Sequence, residues 1–117
     1  MAKPRDIRER TFEFAVDVIR MSRLLPRTTD AHILGKQVLR SATSIGANLE
    51  EAQAGYTKPD FTYKNGIALK EARETHYWLR LILAAGLVKP NQVEPLIIEA
   101  DEITRILGAI VSKSRKT

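Results

Sequence analysis

The residues best placed to do chemistry fall in two helical stripes. Gln37, Ser41, Ser44, Asn48, Glu51 and Gly55 recur at intervals of three or four, and so do Lys64, Ile67, Glu71, Glu74 and Trp78. On a helix such spacing places each set on one face. The first set is small and polar, unlike a solvated face of lysines and glutamates. The second sets two carboxylates one turn apart between an isoleucine and a tryptophan. Carboxylates shielded in this way need cations or hydroxyl donors, and Arg40, Ser44 and Asn48 carry those groups. The expectation is a contact surface between helices built from Arg40, Ser41, Ser44, Asn48, Glu51, Glu71, Glu74 and Trp78, within one chain or between subunits.

Catalytic readings find less support. A carboxylate-bridged di-iron bundle requires Glu-x-x-His on two helices, whereas the two histidines, His32 and His76, stand outside any such motif. There is no cysteine, hence no thiolate nucleophile, thiolate metal site or disulfide. G-x-S-x-G, a Walker loop and a dinucleotide fingerprint are all missing, and Ser41 and Ser44 have no base nearby in sequence. No catalytic residue, no metal ligand and no cofactor is expected. His76 reads as a surface or interface imidazole, and His32 as a residue at a helix start.

The elements that position these groups are four helices. Turn-forming clusters lie at Pro26 with "RTTD", at "AGYTKPD" (54–60) and at "GLVKPN" (86–91). Between them every segment has helical period. Ile7, Phe14, Val18 and Leu25 mark the first, with Ala15 and Ile19 alongside. Val38, Ala42, Ile45, Leu49 and Ala52 form the core stripe of the second, about 100° from the polar one. Phe61, Ala68, Ala72, Leu79 and Ile82 serve the third, and Val93, Leu96, Ala100, Ile103 and Leu107 the fourth. Asp60 and Asn91 read as N-caps and Gly86 as a left-handed C-terminal residue. The expected helices are 6–24, 31–54, 60–85 and 92–112, in a single domain over residues 1–117 with a frayed basic tail at about 113–117. Four long helices with short connections predict an all-α, antiparallel up-down-up-down bundle.

Charge gives the remaining clue. Nineteen Lys and Arg against 14 Asp and Glu leave a net charge of +5. Lys3, Arg5, Arg8 and Arg10 gather at the start and Lys113, Arg115 and Lys116 at the finish, where they suit either plain solvation of the chain ends or phosphate contact. "YTKPDFTYK" sets Tyr56, Phe61 and Tyr63 near Lys58 and Lys64, a mixture suited to single-stranded nucleic acid or simply to a helix connection stapled by Phe61. Tyr77 and Trp78 suit stacking on a base or, more commonly for an aromatic pair on a long helix, packing against a neighbour. No stretch reaches the roughly 18 apolar residues of a membrane span, and the N-terminus lacks a signal-peptide core. The expected location is the cytoplasm, with no membrane partner.

"LRSATSIGANLEEAQAG" followed by "ALKEARETHYWLRLIL" resembles the four-helix-bundle family of intervening-sequence, or S23-type, ribosomal proteins. Arg40, Ser44, Ile45, Ala47, Asn48, Leu49 and Glu51 fall on the family pattern. Gly46 stands where the family often has proline, and Ala52 where it often has glycine. The resemblance implies a ring-shaped homopentamer. It also implies kinship with basic accessory proteins of diversity-generating retroelements, which bind nucleic acid and a reverse transcriptase. The function expected is a non-enzymatic, self-associating module that binds RNA or DNA with low specificity through its basic surface. The alternative is a protein–protein scaffold without nucleic-acid contact.

Overall fold

The computed structural model describes residues 6–54 and 57–116. They form four helices: α1 (Ile7–Ser22), α2 (Thr29–Ala52), α3 (Lys58–Ala84) and α4 (Pro90–Lys116). Residue pairs fix the topology. Gly46 lies against Thr11, and Gly35 against Leu25, so α2 runs antiparallel to α1. Ser41 meets Thr75 while Glu51 meets Lys64, which reverses α3 against α2. Thr62 near the start of α3 touches Ser114 near the end of α4. Arg10 then joins α1 to α4 and closes the ring of neighbours. The result is an antiparallel up-down-up-down bundle, without strands among the described residues.

The apolar stripes meet along the bundle axis. Phe14, Val18, Val38, Ile45, Leu79, Ile82, Ile103 and Leu107 are all at most 2% exposed, and burial of this kind is the main stabilising term. Phe61 differs from the expectation: it is only half-buried at the rim, and Asn65, whose Nδ2 donates to the Phe61 carbonyl at 2.8 Å, takes the interior position. Thr11 and Thr75 are fully buried as well. Thr11 spares the interior an unpaired hydroxyl by donating to the Arg8 carbonyl of its own helix, while Thr75 Oγ1 lies 2.8 Å from the Glu71 carbonyl and is satisfied across the seam to α2.

Two caps correct the sequence reading. Thr57 is the N-cap of α3, its Oγ1 accepting from the Asp60 amide at 3.4 Å, and Asp60 sits inside the first turn. Pro90 opens α4, so Asn91 is already helical and cannot cap it. Instead Gln92 reaches back, its Oε1 accepting from the Lys89 amide at 3.0 Å, which is the return half of a capping box. Both corrections share one cause. Proline lacks only an amide that the first helical turn leaves unbonded, so it belongs inside the helix start and not ahead of it. Gly86 has φ +68°, the left-handed geometry expected of it.

α2 passes through Gly46 without interruption, and α4 continues to Lys116, beyond the expected end at Ser112. Lys113, Arg115 and Lys116 occupy its last turn, where cations oppose the negative end of the helix dipole. A Cβ on Gly46 would lie 3.4 Å from Thr11 Oγ1, an ordinary contact, so this position faces α1 across the first seam. No described helix is long and apolar enough to cross a membrane.

Candidate functional site

The two polar stripes face one another along the α2–α3 seam. At its buried centre Thr75 Oγ1 donates to Ser41 Oγ at 2.8 Å, and Ser41 Oγ lies 3.3 Å from the Val38 carbonyl. Both hydroxyls are wholly excluded from solvent. The chain from Thr75 to Ser41 to the Val38 carbonyl uses each proton once and leaves neither hydroxyl unpaired. One turn along, Ser44 Oγ donates to Glu71 Oε2 at 3.2 Å. The other carboxylate oxygen, Oε1, is buried without a hydrogen bond and lies 3.7 Å from Arg40 Nη1, so it is held by charge alone.

Arg40 spans both carboxylates. Its Nη2 donates to Glu74 Oε1 at 3.1 Å and to Gln37 Oε1 at the same distance. At the far end of the seam Lys64 Nζ donates to Glu51 Oε1 at 2.7 Å. Arg40, Ser41, Ser44, Glu51, Glu71 and Glu74 are therefore brought together within one chain. Asn48 joins them at one remove, its Nδ2 donating to the Ser44 carbonyl at 2.8 Å and lying 3.3 Å from Ser44 Oγ, the hydroxyl that donates to Glu71. Trp78 is half-buried against the core with its indole Nε1 unpartnered, and its ring meets Tyr77 edge-on at 5.1 Å. Gly55 lies outside the described residues. The arrangement can fix the register of two helices. Among the described residues no His, Cys, Asp and Glu cluster could hold a metal ion.

The basic candidates converge at one end of the bundle, because up-down topology brings the start of α1 and the end of α4 to the start of α3. Arg8 is partly exposed and bonded to its own N-cap, Asp6, at 3.2 Å. That guanidinium, with the Arg8 amide, holds the Asp6 carboxyl below the usual carboxylate range. Lys58 and Arg115 border a groove of about 440 Å³ between α3 and α4, together with Pro59, Thr62, Tyr63 and Ser114. Lys113 and Lys116 stand on the same last turn of α4. Lys64 is drawn away to Glu51. Lys3, Arg5 and Tyr56 lie outside the described residues. The tract read as an aromatic and basic loop is mostly helix, so Tyr63 faces solvent while Lys64 faces α2.

Arg10, counted in sequence only as one of the basic groups at the chain start, is a clamp between α1 and α4. Its Nε and Nη2 take both oxygens of Glu99 at 2.6 and 2.7 Å, and Nη2 also reaches Glu102 at 2.7 Å. The hydrogen bonds to Glu99, with the charges of both glutamates, raise the guanidinium pKa well above its ordinary range. The only trace in sequence is Glu99 and Glu102 one turn apart, and that means nothing until α1 is known to lie beside α4.

His32 is exposed at the fourth position of α2, on a groove of about 660 Å³ shared with Arg27 and Lys36. His76 lies partly buried against α4, among Ile97, Ile98, Asp101, Glu102 and Arg105. Burial, and next the charge of Arg80, lower its pKa from the ordinary 6.5, while Asp101 opposes them. A histidine whose folded pKa is depressed takes up more protons on unfolding. Its contribution is therefore complete above pH 6.5 and lost as the pH falls through the lowered folded value. Urea unfolding at pH 8 and pH 5 is expected to show a smaller acid loss of stability for His76→Gln than for the parent. An equal loss in both proteins refutes the assignment.

The sequence profile of the family described as 23S rRNA-intervening sequence protein matches residues 3–109. A crystal structure of a protein with unknown function from the S23 ribosomal protein family of Bacteroides thetaiotaomicron VPI-5482 is similar throughout. It has a TM-score of 0.83 and 37% sequence identity, covering 91% of this chain and 98% of that one. No curated protein matches the chain. With the profile spanning nearly all of a four-helix bundle whose shape the S23 structure shares, the chain belongs to the 23S rRNA-intervening sequence protein family.

Proposed function

We propose that the protein is a non-enzymatic, self-associating bundle that acts in the cytoplasm and binds RNA or DNA with low sequence specificity. The observation that carries this reading is the convergence of Arg8, Lys58, Arg115 and Lys116 at one end of the bundle. Lys3 and Arg5 precede that end in the chain. Self-association into a pentameric ring is supported by the family resemblance and by large apolar side chains left open to water. Phe12 is 69% exposed, Ile33 54% and Ile98 63%. A ring of five chains at +5 each carries about +25, a field that attracts polyanions more strongly than one subunit does.

An electrophoretic mobility assay tests the nucleic-acid reading. The intact protein is expected to shift RNA and DNA probes at low salt and to release them as salt rises, since displaced counterions make such binding steeply salt-dependent. Replacing Lys113, Arg115 and Lys116 by glutamine should weaken it without abolishing it. Light scattering measures the assembly and is expected to give five times the 13.2 kDa chain mass. An unshifted probe at low salt removes the nucleic-acid reading and leaves a protein-binding scaffold.

A further inference from the structure

Along the outward face of α3, Tyr63, Gly66, Lys70, Arg73, Tyr77 and Arg80 follow one another at steps of three or four residues. At 1.5 Å per residue this stripe is about 25 Å long. Arg20, Arg23, Lys36, Arg115 and Lys116 are likewise exposed without an ion pair among the described residues, but three properties combine only on this stripe.

The first is uncompensated charge. Arg8, Arg10, Arg40, Lys64 and Arg105 each form an ion pair with a carboxylate. Lys70, Arg73 and Arg80 are exposed and have no such partner among the described residues. Glu74, the carboxylate flanking the stripe on α3, is bound by Arg40. The stripe thus presents one sign of charge along its length.

The second is exposed aromatic surface. Tyr63 is 66% exposed and Tyr77 is 48% exposed. The Tyr77 ring is fixed at its edge by Trp78, and the Arg80 guanidinium lies 5.7 Å from its centroid. A tyrosine held between a tryptophan and an arginine loses little further freedom when a base stacks on the pair. The third is room, since a Cβ on Gly66 would meet nothing within 4 Å, leaving the backbone between Tyr63 and Lys70 open to approach.

We infer that the outward face of α3 is a track for a single-stranded polynucleotide, with Lys70 and Arg73 on the phosphates and Tyr63 and the Tyr77–Arg80 pair stacking bases. This rests on the nucleic-acid reading above and moves its main site from the end of the bundle to one side. Cations alone would suit a duplex or an acidic peptide equally well. The tyrosines favour a strand whose bases are unpaired, because stacking needs an open π-face. The length of the stripe fits the short end of the roughly 4–16 nucleotides that such sites span.

The test measures binding of a fluorescent oligouridylate, and of a duplex RNA of equal length, by anisotropy over a range of salt. Lys70→Gln with Arg73→Gln leaves the Tyr77–Arg80 stack in place. It is expected to flatten the single-strand dependence of log K on log salt by about 1.4, at about 0.7 per lost phosphate contact. Tyr77→Ala is expected to weaken oligouridylate binding about 10-fold, leaving the duplex little changed and Tyr77→Phe close to the parent, as stacking requires. Unchanged helicity and solution mass establish that each variant is intact. Should the double variant alter assembly, the comparison of Tyr77→Phe with Tyr77→Ala decides the matter alone. An unaltered salt slope in an intact double variant, or equal losses for single strand and duplex in Tyr77→Ala, overturns the track. Parental binding that survives these changes but falls with the α4 end variant rejects the track and keeps the general reading. A parent that binds neither probe rejects both.

Discussion

Phe14→Ala is expected to lower the unfolding free energy by about 3 to 5 kcal/mol, with α1 losing protection before the other helices. Phe14 is 2% exposed and the largest of the fully buried side chains, so truncation removes transfer energy and leaves a cavity that the helices can close only in part. The position matters as much as the size. α1 has 16 residues against 24, 27 and 27 for the others, and its seam with α4 is the least extensive of the four. Besides Phe14, it buries only Val18, Met21 and Thr11. A helix of 16 residues is marginal in water on its own, so weakening the docking of α1 should let it open locally while α2 to α4 stay paired. Urea unfolding gives the total effect and native-state hydrogen exchange its distribution. A loss below 1 kcal/mol, or exchange accelerated equally in all four helices, contradicts this account.

The bundle is legible in sequence because its helices are long and their apolar residues recur regularly. Val38 through Ala52 and Val93 through Val111 leave little choice of period, and Gly86 marks its turn by a conformation few other residues adopt. Helix starts were harder to read. Thr57 and Asp60 both suit a cap, and only the preference of proline for the first turn places Pro59 inside the helix.

The α2–α3 polar residues could be named from spacing alone, but their pairing could not. Ser41 has a complete hydrogen-bond chain only because the antiparallel register brings it opposite Thr75, which is one more threonine in a helix until that register is known. Asn48 shares the stripe and yet reaches α3 only through the Ser44 hydroxyl on its own helix. The tyrosines and cations of α3 could be named from sequence as well, but not their alignment on one open face. Tyrosine is as much at home in a core as on a surface, so Tyr63 and Tyr77 show their exposure only once the buried side of α3 is fixed by Ala68, Ala72 and Leu79.

Arg10→Ala is expected to cost about 2 kcal/mol, more than a surface ion pair and less than a fully buried one. Arg10 and Glu99 are 22% and 23% exposed, and Glu102, at 56%, adds little because water screens it. The forked pair with Glu99 gives two charge-assisted hydrogen bonds in a single plane, which a lysine cannot reproduce. Arg10→Lys should therefore recover less than half of the loss. Much of the cost belongs to Glu99, left partly buried without its cation, so Glu99→Leu added to Arg10→Ala should restore stability relative to the single variant. A double-mutant cycle separates the interaction itself from that desolvation. Combining Arg10→Ala with Phe14→Ala should give less than the sum of the two losses. The side chains lie one turn apart on α1 and hold the same docking event, so once the helix has come away the second change has less left to remove. Strict additivity would mean that the clamp and the apolar anchor stabilise α1 independently, and that this helix does not open as a unit.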